Sequence, residues 1–349
     1  MRLLSDGGQP HIYLWRILPL IPNKNMYTSN EILELVNEAL ENKVYDRKPQ
    51  SLYDPMKYVL SLGGKRIRPV LMLMAYNLYR EDVSRIMTNA LAIETYHNYT
   101  LLHDDLMDRA DVRRGKPCVH KVWDDNTAIL SGDAMLVLSY QMMAQCDRDK
   151  LAQVMDLYTE TALQIGEGQQ YDMEFETRND VREEEYIEMI RLKTSVLLAC
   201  ALKLGAILAD APQQDADALY AFGEKMGLAF QLQDDYLDVY GDFKVFGKKI
   251  GGDILCNKKT FMLINALAKA DPEKREELDR WLAATDYVPE EKVKAVTHIY
   301  NELDIPQLAL DKINAYFEEA KTALESVQVA DEKKHYLWEL AEQMLGRQS

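Results

Sequence analysis

The sequence predicts an all-α fold built as a single domain, and three observations carry that prediction. From Thr28 onward, apolar residues recur at three- and four-residue spacing among strong helix formers, strand-like alternation is hard to find, and Gly or Pro clusters punctuate the chain where helices would end. At 349 residues and 47% hydrophobic content, the chain is long enough to bury a sizeable core.

Taken in order, the first 26 residues form an N-terminal extension expected to be irregular, and the domain runs over 27–349. His11 to Pro22 is the most apolar part of that extension, but it is short, is broken by Pro19 and Pro22, and has no small-residue cleavage site. Tyr27-Thr28-Ser29-Asn30-Glu31 is a good helix start. The spacing then predicts helices near 30–45, 66–80, 84–109, 126–145, 149–176, 182–208 and 214–241, with several shorter ones beyond 258. Breaks fall at Gly63-Gly64, Gly115-Lys116-Pro117, Ala211-Pro212, Gly247 to Gly252, Asp271-Pro272 and Pro289, and none is long enough to be a linker.

Two of these helices carry the same acidic pattern: Asp104-Asp105-Leu106-Met107-Asp108 and Asp234-Asp235-Tyr236-Leu237-Asp238. Residues four apart on a helix share a face at about 6 Å, so the first and last Asp of each DDxxD point the same way. At that separation two carboxylates repel by about 3 kcal/mol at an effective dielectric of about 20. A divalent cation would remove the repulsion. Mg²⁺ suits the pattern because it is held by one or two carboxylates plus substrate phosphates, whereas Ca²⁺ asks for a fuller oxygen cage. His97, Leu101, Asp104 and Asp108 form one stripe, and Gln231, Asp234, Asp235 and Asp238 another; if the two helices face each other, the space between them suits Mg²⁺ bridged by a diphosphate. Each motif is followed by a cationic loop, Arg109 to Lys116 after the first and Phe246 to Lys259 after the second. Upstream, Gly63-Gly64-Lys65-Arg66-Ile67-Arg68-Pro69 offers three cations and a helix N-terminus to a phosphate.

Composition narrows the partners. With 41 basic against 57 acidic residues the net charge is −16, which argues against nucleic acid, so an anionic ligand has to be met locally. The four cysteines form no C-x-x-C pair, which points to neither a zinc site nor a disulfide framework and fits a reducing cytoplasm. No apolar run approaches the roughly 18 to 20 residues that cross a bilayer.

From about Leu52 to Thr260 the chain resembles the trans-isoprenyl diphosphate synthases, the polyprenyl synthetase family that includes farnesyl and geranylgeranyl diphosphate synthases. The likeness rests on GGKRIRP, His97, the first DDxxD with Arg113-Arg114-Gly115-Lys116-Pro117, Ser131-Gly132-Asp133, Gly168-Gln169 with Asp172, Lys193-Thr194, Gln231 with the second DDxxD, and Gly247-Lys248 to Lys258. It implies the isoprenoid synthase fold, a homodimeric bundle of ten or more helices around a central cavity, and Mg²⁺-dependent head-to-tail condensation of isopentenyl diphosphate with an allylic diphosphate. Carried over, Asp104, Asp108 and Asp234 would bind Mg²⁺, three ions per active site, with Asp238 and Asp235 lending support through water. Lys65, Arg68, His97 and Arg114 would hold isopentenyl diphosphate. Arg113, Lys193 and Lys248 would grip the allylic diphosphate with Lys258 near, and Thr194 and Gln231 would flank the allylic cation.

In this family the residues five and four before the first Asp line the tail pocket, here Tyr99 and Thr100. The ring of Tyr99 reads as a floor, favouring a C15 or C20 product over a longer polyprenyl chain. A terpene cyclase is disfavoured by the second DDxxD and by GGKRIRP, and a non-catalytic partner subunit by both acidic motifs being intact.

Overall fold

The computed structural model describes residues 24–43, 45, 47–241 and 250–346. The structure is all-α, as the sequence predicts, and its chain divides into two compact units, Met1–Val154 and Met155–Ser349.

In the first unit, α1 (Ser29–Glu41) opens on a capping box, with Thr28 accepting from the Glu31 amide while the Glu31 carboxylate accepts from that of Thr28. Helix α2 (Gln50–Ser61) lies where no helix was expected. Pro55 sits inside it and no side chain caps its start, so local signals argue against it; burial of Tyr53, Met56, Val59 and Leu60 decides the matter. Helix α3 (Ile67–Asn77) begins at Arg66, and after a 3₁₀ turn at Val83–Ile86 comes α4 (Met87–Met107). A two-residue antiparallel ladder, β1 (Val112–Arg113) with β2 (Lys116–Pro117), turns at Gly115, whose φ is +74°. It is a small exception to the expected absence of strands. Short α5 (Val119–Val122) then leads to α6 (Asp125–Met143), which packs on α4 and α2 around Met56, Leu60, Leu102, Met135 and Leu138.

Helix α7 (Leu151–Thr177) opens at the unit boundary. The expected helix over 182–208 is a continuous run with a fault in it: α8 (Glu183–Ile190), a π-turn at Arg191–Ser195, then α9 (Val196–Leu208). Helix α10 (Gln213–Tyr240) is central to the second unit and packs on α9. Beyond it lie α11 (Gly252–Leu255), α12 (Phe261–Lys269), α13 (Pro272–Ala283), α14 (Pro289–Glu302), α15 (Ile305–Glu325) and α16 (Asp331–Leu345). Asp271 caps α13 ahead of Pro272, the arrangement that break predicted. Helix α15 packs along α10. The core here gathers Phe175, Tyr186, Leu232, Phe261, Tyr300 and Ile305.

Candidate active site

Both aspartate motifs stand at the negative poles of long helices. Asp104 and Asp105 occupy the last turn of α4 and Asp108 is its C-cap, while the second motif fills the last two turns of α10, and neither helix has a basic residue in its last turn. Asp104, Asp105, Asp108 and Asp238, in the last turn or at its cap, meet the unpaired carbonyl end of the helix dipole, unfavourable by about 0.3–1 kcal/mol apiece, whereas Asp234 and Asp235 lie a turn further in. Asp104 and Asp234 are half-buried and Asp108 is exposed.

The middle aspartates behave differently. Asp105 is buried and takes a bidentate pair from Arg113, Nε and Nη2 each at 2.7 Å. Asp235 is buried against the Tyr186 hydroxyl, which donates to it, and also accepts from the Phe261 amide at 3.3 Å. Burial pushes the Asp235 carboxyl up to about 7 against the pull of that hydroxyl and of Lys258. The expected polar stripe is therefore interrupted at Asp235, which is tied into the protein. Asp238, nearly buried, accepts from the Asp253 amide at 3.0 Å.

Around GGKRIRP the three cations part company. Arg66 does not face a ligand: it is the buried N-cap residue of α3, 2.5 Å from Glu94, with side chains 3% and 2% exposed, and also donates to the Leu60 carbonyl. The expectation that all three cations are offered to a phosphate is corrected for Arg66, whose guanidinium is committed to Glu94 and Leu60. The signal for the pairing was Glu94 itself, an acid inside the apolar run of α4, which requires a buried partner. Lys65 is exposed. Arg68 donates to His97 Nε2 at 3.1 Å, and its own Nε is buried without a partner. Because guanidinium only donates, His97 accepts at Nε2 and carries its proton on Nδ1. Burial, then the charges of Arg68, Arg114, Arg113 and Arg66, hold the imidazole well below its ordinary range, so it is neutral. Arg114 donates to the Gly63 carbonyl and lies against Gly64, where a Cβ would come within 2.6 Å of its guanidinium. A neutral ring among guanidiniums, one with an unanswered donor, offers positive charge and a free N–H to an anion.

Tyr99 is half-buried on α4, edge-on to Tyr96 at 5.4 Å and to His103 at 4.9 Å. Thr100 spends its hydroxyl on the His97 carbonyl at 2.8 Å.

In the second unit the π-turn carries Lys193 and Thr194. Lys193 pairs with Asp172 at 2.5 Å, and the Thr194 hydroxyl donates to Gln231 Oε1 at 3.4 Å. Two glycines admit this turn, since a Cβ on Gly168 would strike the Lys193 backbone and one on Gly227 would come within 2.6 Å of Ser195 Cα. Burial alone would lower the Lys258 ammonium, but Asp253, Asp172, Asp235 and Asp238 outweigh it and raise it. Lys248 lies outside the described residues, as do residues 1–23 of the N-terminal extension.

The donor chemistry fits Mg²⁺. Each motif offers carboxylates near the C-terminus of a helix whose last turn holds no basic residue, and among the described residues no three His, Cys, Asp or Glu side chains converge into a ready-made cage. Mg²⁺ binds through one or two carboxylates and completes its octahedron with water and substrate phosphate.

A family model for polyprenyl synthetase matches residues 49–303. A short chain isoprenyl diphosphate synthase from Methanocaldococcus jannaschii is 39% identical over 272 residues, 78% of this chain and 82% of its own length. A geranylgeranyl diphosphate synthase from Methanosarcina mazei is 36% identical, over 90% of this chain and 95% of its own. A crystal structure of a geranylgeranyl pyrophosphate synthase superposes with a TM-score of 0.88 at 43% identity, covering 93% of this chain and all of that one.

Proposed function

The chain belongs to the polyprenyl synthetase family, and on that premise we propose that it condenses isopentenyl diphosphate head-to-tail with an allylic diphosphate, releasing an all-trans prenyl diphosphate of C15 or C20. The observation that carries this reading is the pair of aspartate motifs at the negative ends of α4 and α10, helix ends without a basic residue.

Asp104 and Asp108 with Asp234 and Asp238 would hold Mg²⁺, as many as three ions per active site, supplying the positive charge that a departing diphosphate requires. Lys193 and Lys258 add charge on the protein's side, with Lys248 and Arg113 as further candidates for the allylic diphosphate. Arg113 reaches that role already fixed by Asp105. The oxygens of Thr194 and Gln231 turn their dipoles toward the allylic cation formed when the C–O bond ionises. Lys65, Arg68, His97 and Arg114 receive isopentenyl diphosphate, whose double bond then attacks that cation. His97 is an unsuitable base for the final proton, because its Nε2 lone pair is occupied by Arg68. The released diphosphate is left as the acceptor.

Tyr99, wedged between two aromatic neighbours, favours a short product. A homodimer is part of the reading, supported by Ile129, Leu130 and Val137, large apolar side chains left exposed on α6. So is a cytoplasmic setting, supported by four unpaired cysteines; no helix among the described residues is long and apolar enough to cross a membrane.

Incubating the purified protein with Mg²⁺, isopentenyl diphosphate and dimethylallyl, geranyl or farnesyl diphosphate tests the proposal. An elongated prenyl diphosphate supports it, whereas a cyclic hydrocarbon or no product overturns it. Replacing Tyr99→Ala is expected to lengthen the product by at least one C5 unit. An unchanged distribution on chromatography removes the floor role of Tyr99.

A further inference from the structure

The side chain of Lys292 on α14 is 1% exposed, among the most completely buried in the chain. A lysine commonly extends its ammonium to water along its flexible stem, yet this one turns inward. Its Nζ donates to Asn257 Oδ1 at 2.7 Å and stands 4.4 Å from the centre of the Tyr287 ring. Among the described residues it has no carboxylate within ion-pair distance. Withdrawing an ammonium from water costs several kcal/mol, and packing alone would be served as well by Met or Leu.

What the ammonium holds is the turn leading from α11 into α12. Asn257 adopts the left-handed region, φ +53°, and its amide is fixed at both ends, accepting from Lys292 and donating through Nδ2 to the Leu282 carbonyl at 3.0 Å. Tyr287, which supplies the ring, donates to the Leu255 carbonyl at 3.2 Å, so one contact of the ammonium lies in this turn and the other is hydrogen-bonded to its start. The next residue is Lys258. Its amide donates to the Asp253 carbonyl at 2.9 Å, and the Asp253 amide donates in turn to Asp238 of the second aspartate motif. Lys258 and Lys292 also line one small cavity of ≈ 10 Å³, at the edge of what a single water needs, so a change at one has little slack before the other feels it.

We propose that Lys292 is a positioning residue: through Asn257 and the Tyr287 ring it holds the 255–258 turn so that Lys258 stays beside the second aspartate motif, where the allylic diphosphate is received. The proposal rests on the assignment of Lys258 to that diphosphate.

Steady-state kinetics on Lys292→Met, which keeps the length and removes the charge, tests it with both substrates varied. The Michaelis constant for the allylic diphosphate is expected to rise on the order of tenfold and that for isopentenyl diphosphate to stay within about twofold. Equal effects on both constants, or no effect on either, overturns the positioning role. Should Lys292→Met fail to fold in a thermal melt, Asn257→Gly decides, since glycine accepts the left-handed backbone while deleting the same hydrogen bond. The same selective rise supports the proposal, and its absence sinks it. Lys258→Ala separates the premise from the inference. If it leaves the allylic constant unchanged, the assignment of Lys258 fails and the proposal with it; if it raises that constant and Lys292→Met does not, only the positioning role is lost.

Discussion

His97 shows how much one hydrogen bond decides. With Arg68 donating to Nε2, the imidazole is a neutral acceptor that steadies a cation, and protonating it would set like charges against each other. The sign for stability follows. The unfolded chain protonates this histidine near its ordinary 6.5 and the folded protein does so only well below it, so below pH 6.5 the unfolded state binds more protons and stability falls as pH drops. Thermal melts at pH 7.5 and 5.5 should therefore differ less for His97→Gln than for the wild type; an unchanged difference would assign the acid sensitivity elsewhere. The sequence exposes such residues by type and spacing but not their partners. Arg66 reads as a third phosphate cation until Glu94 is found beside it, and Asp235 reads as a wet carboxylate until Tyr186 is, because contacts between residues so far apart in the chain leave no local pattern.

Among the elements, the π-turn is the most consequential for the site, and such turns often occur at functional positions. It lifts Lys193 and Thr194 out of the regular ladder, and Gly168 and Gly227 supply the room. Gly168→Ala is expected to destabilise by about 1–3 kcal/mol, since the added methyl meets backbone and not a flexible side chain. A denaturant titration measures that cost. Turnover should fall further than the loss of folded protein explains, on the order of 10²-fold for a displacement of about 1 Å. A variant with native stability and native turnover would show that the close approach is dispensable. Helix ends were largely legible: Asp271-Pro272 and Pro289 mark real starts, and Gly63-Gly64 a real break. Helix α2 was not, because Pro55 speaks against it locally while buried Tyr53, Met56 and Leu60 speak for it only in three dimensions. The π-turn likewise has no local signature, as its glycine supports come from α7 and α10.

At the scale of the molecule, each compact unit carries one aspartate motif and its own cations. Asp104→Ala and Asp234→Ala are each expected to cut turnover by about 10³-fold or more, the scale on which a transition-state charge contact is felt. Both variants are expected to stay folded in a thermal melt, because each relieves the repulsion between neighbouring carboxylates of its own motif. Native turnover in either variant would take the motif out of the ionisation step. The all-α class was readable from the three- and four-residue apolar spacing, and the family from a resemblance spread over many motifs between about Leu52 and Thr260; product length rests on a single ring.

The π-turn also acts on everything beyond it. Each of its i→i+5 loops holds one residue more than an α-turn, which rotates the following side chains by about 100° relative to an unbroken helix. The rod from Glu183 to Leu208 thus behaves as two screws of different phase on one shaft, α8 seated against α10 and α12, and α9 against α10. Excising one residue there would re-thread the shaft and carry Lys203, the one residue of α9 that is not buried, away from Asp217 and into the oily surroundings, so this stretch has far less tolerance for a change of length than for a change of letter.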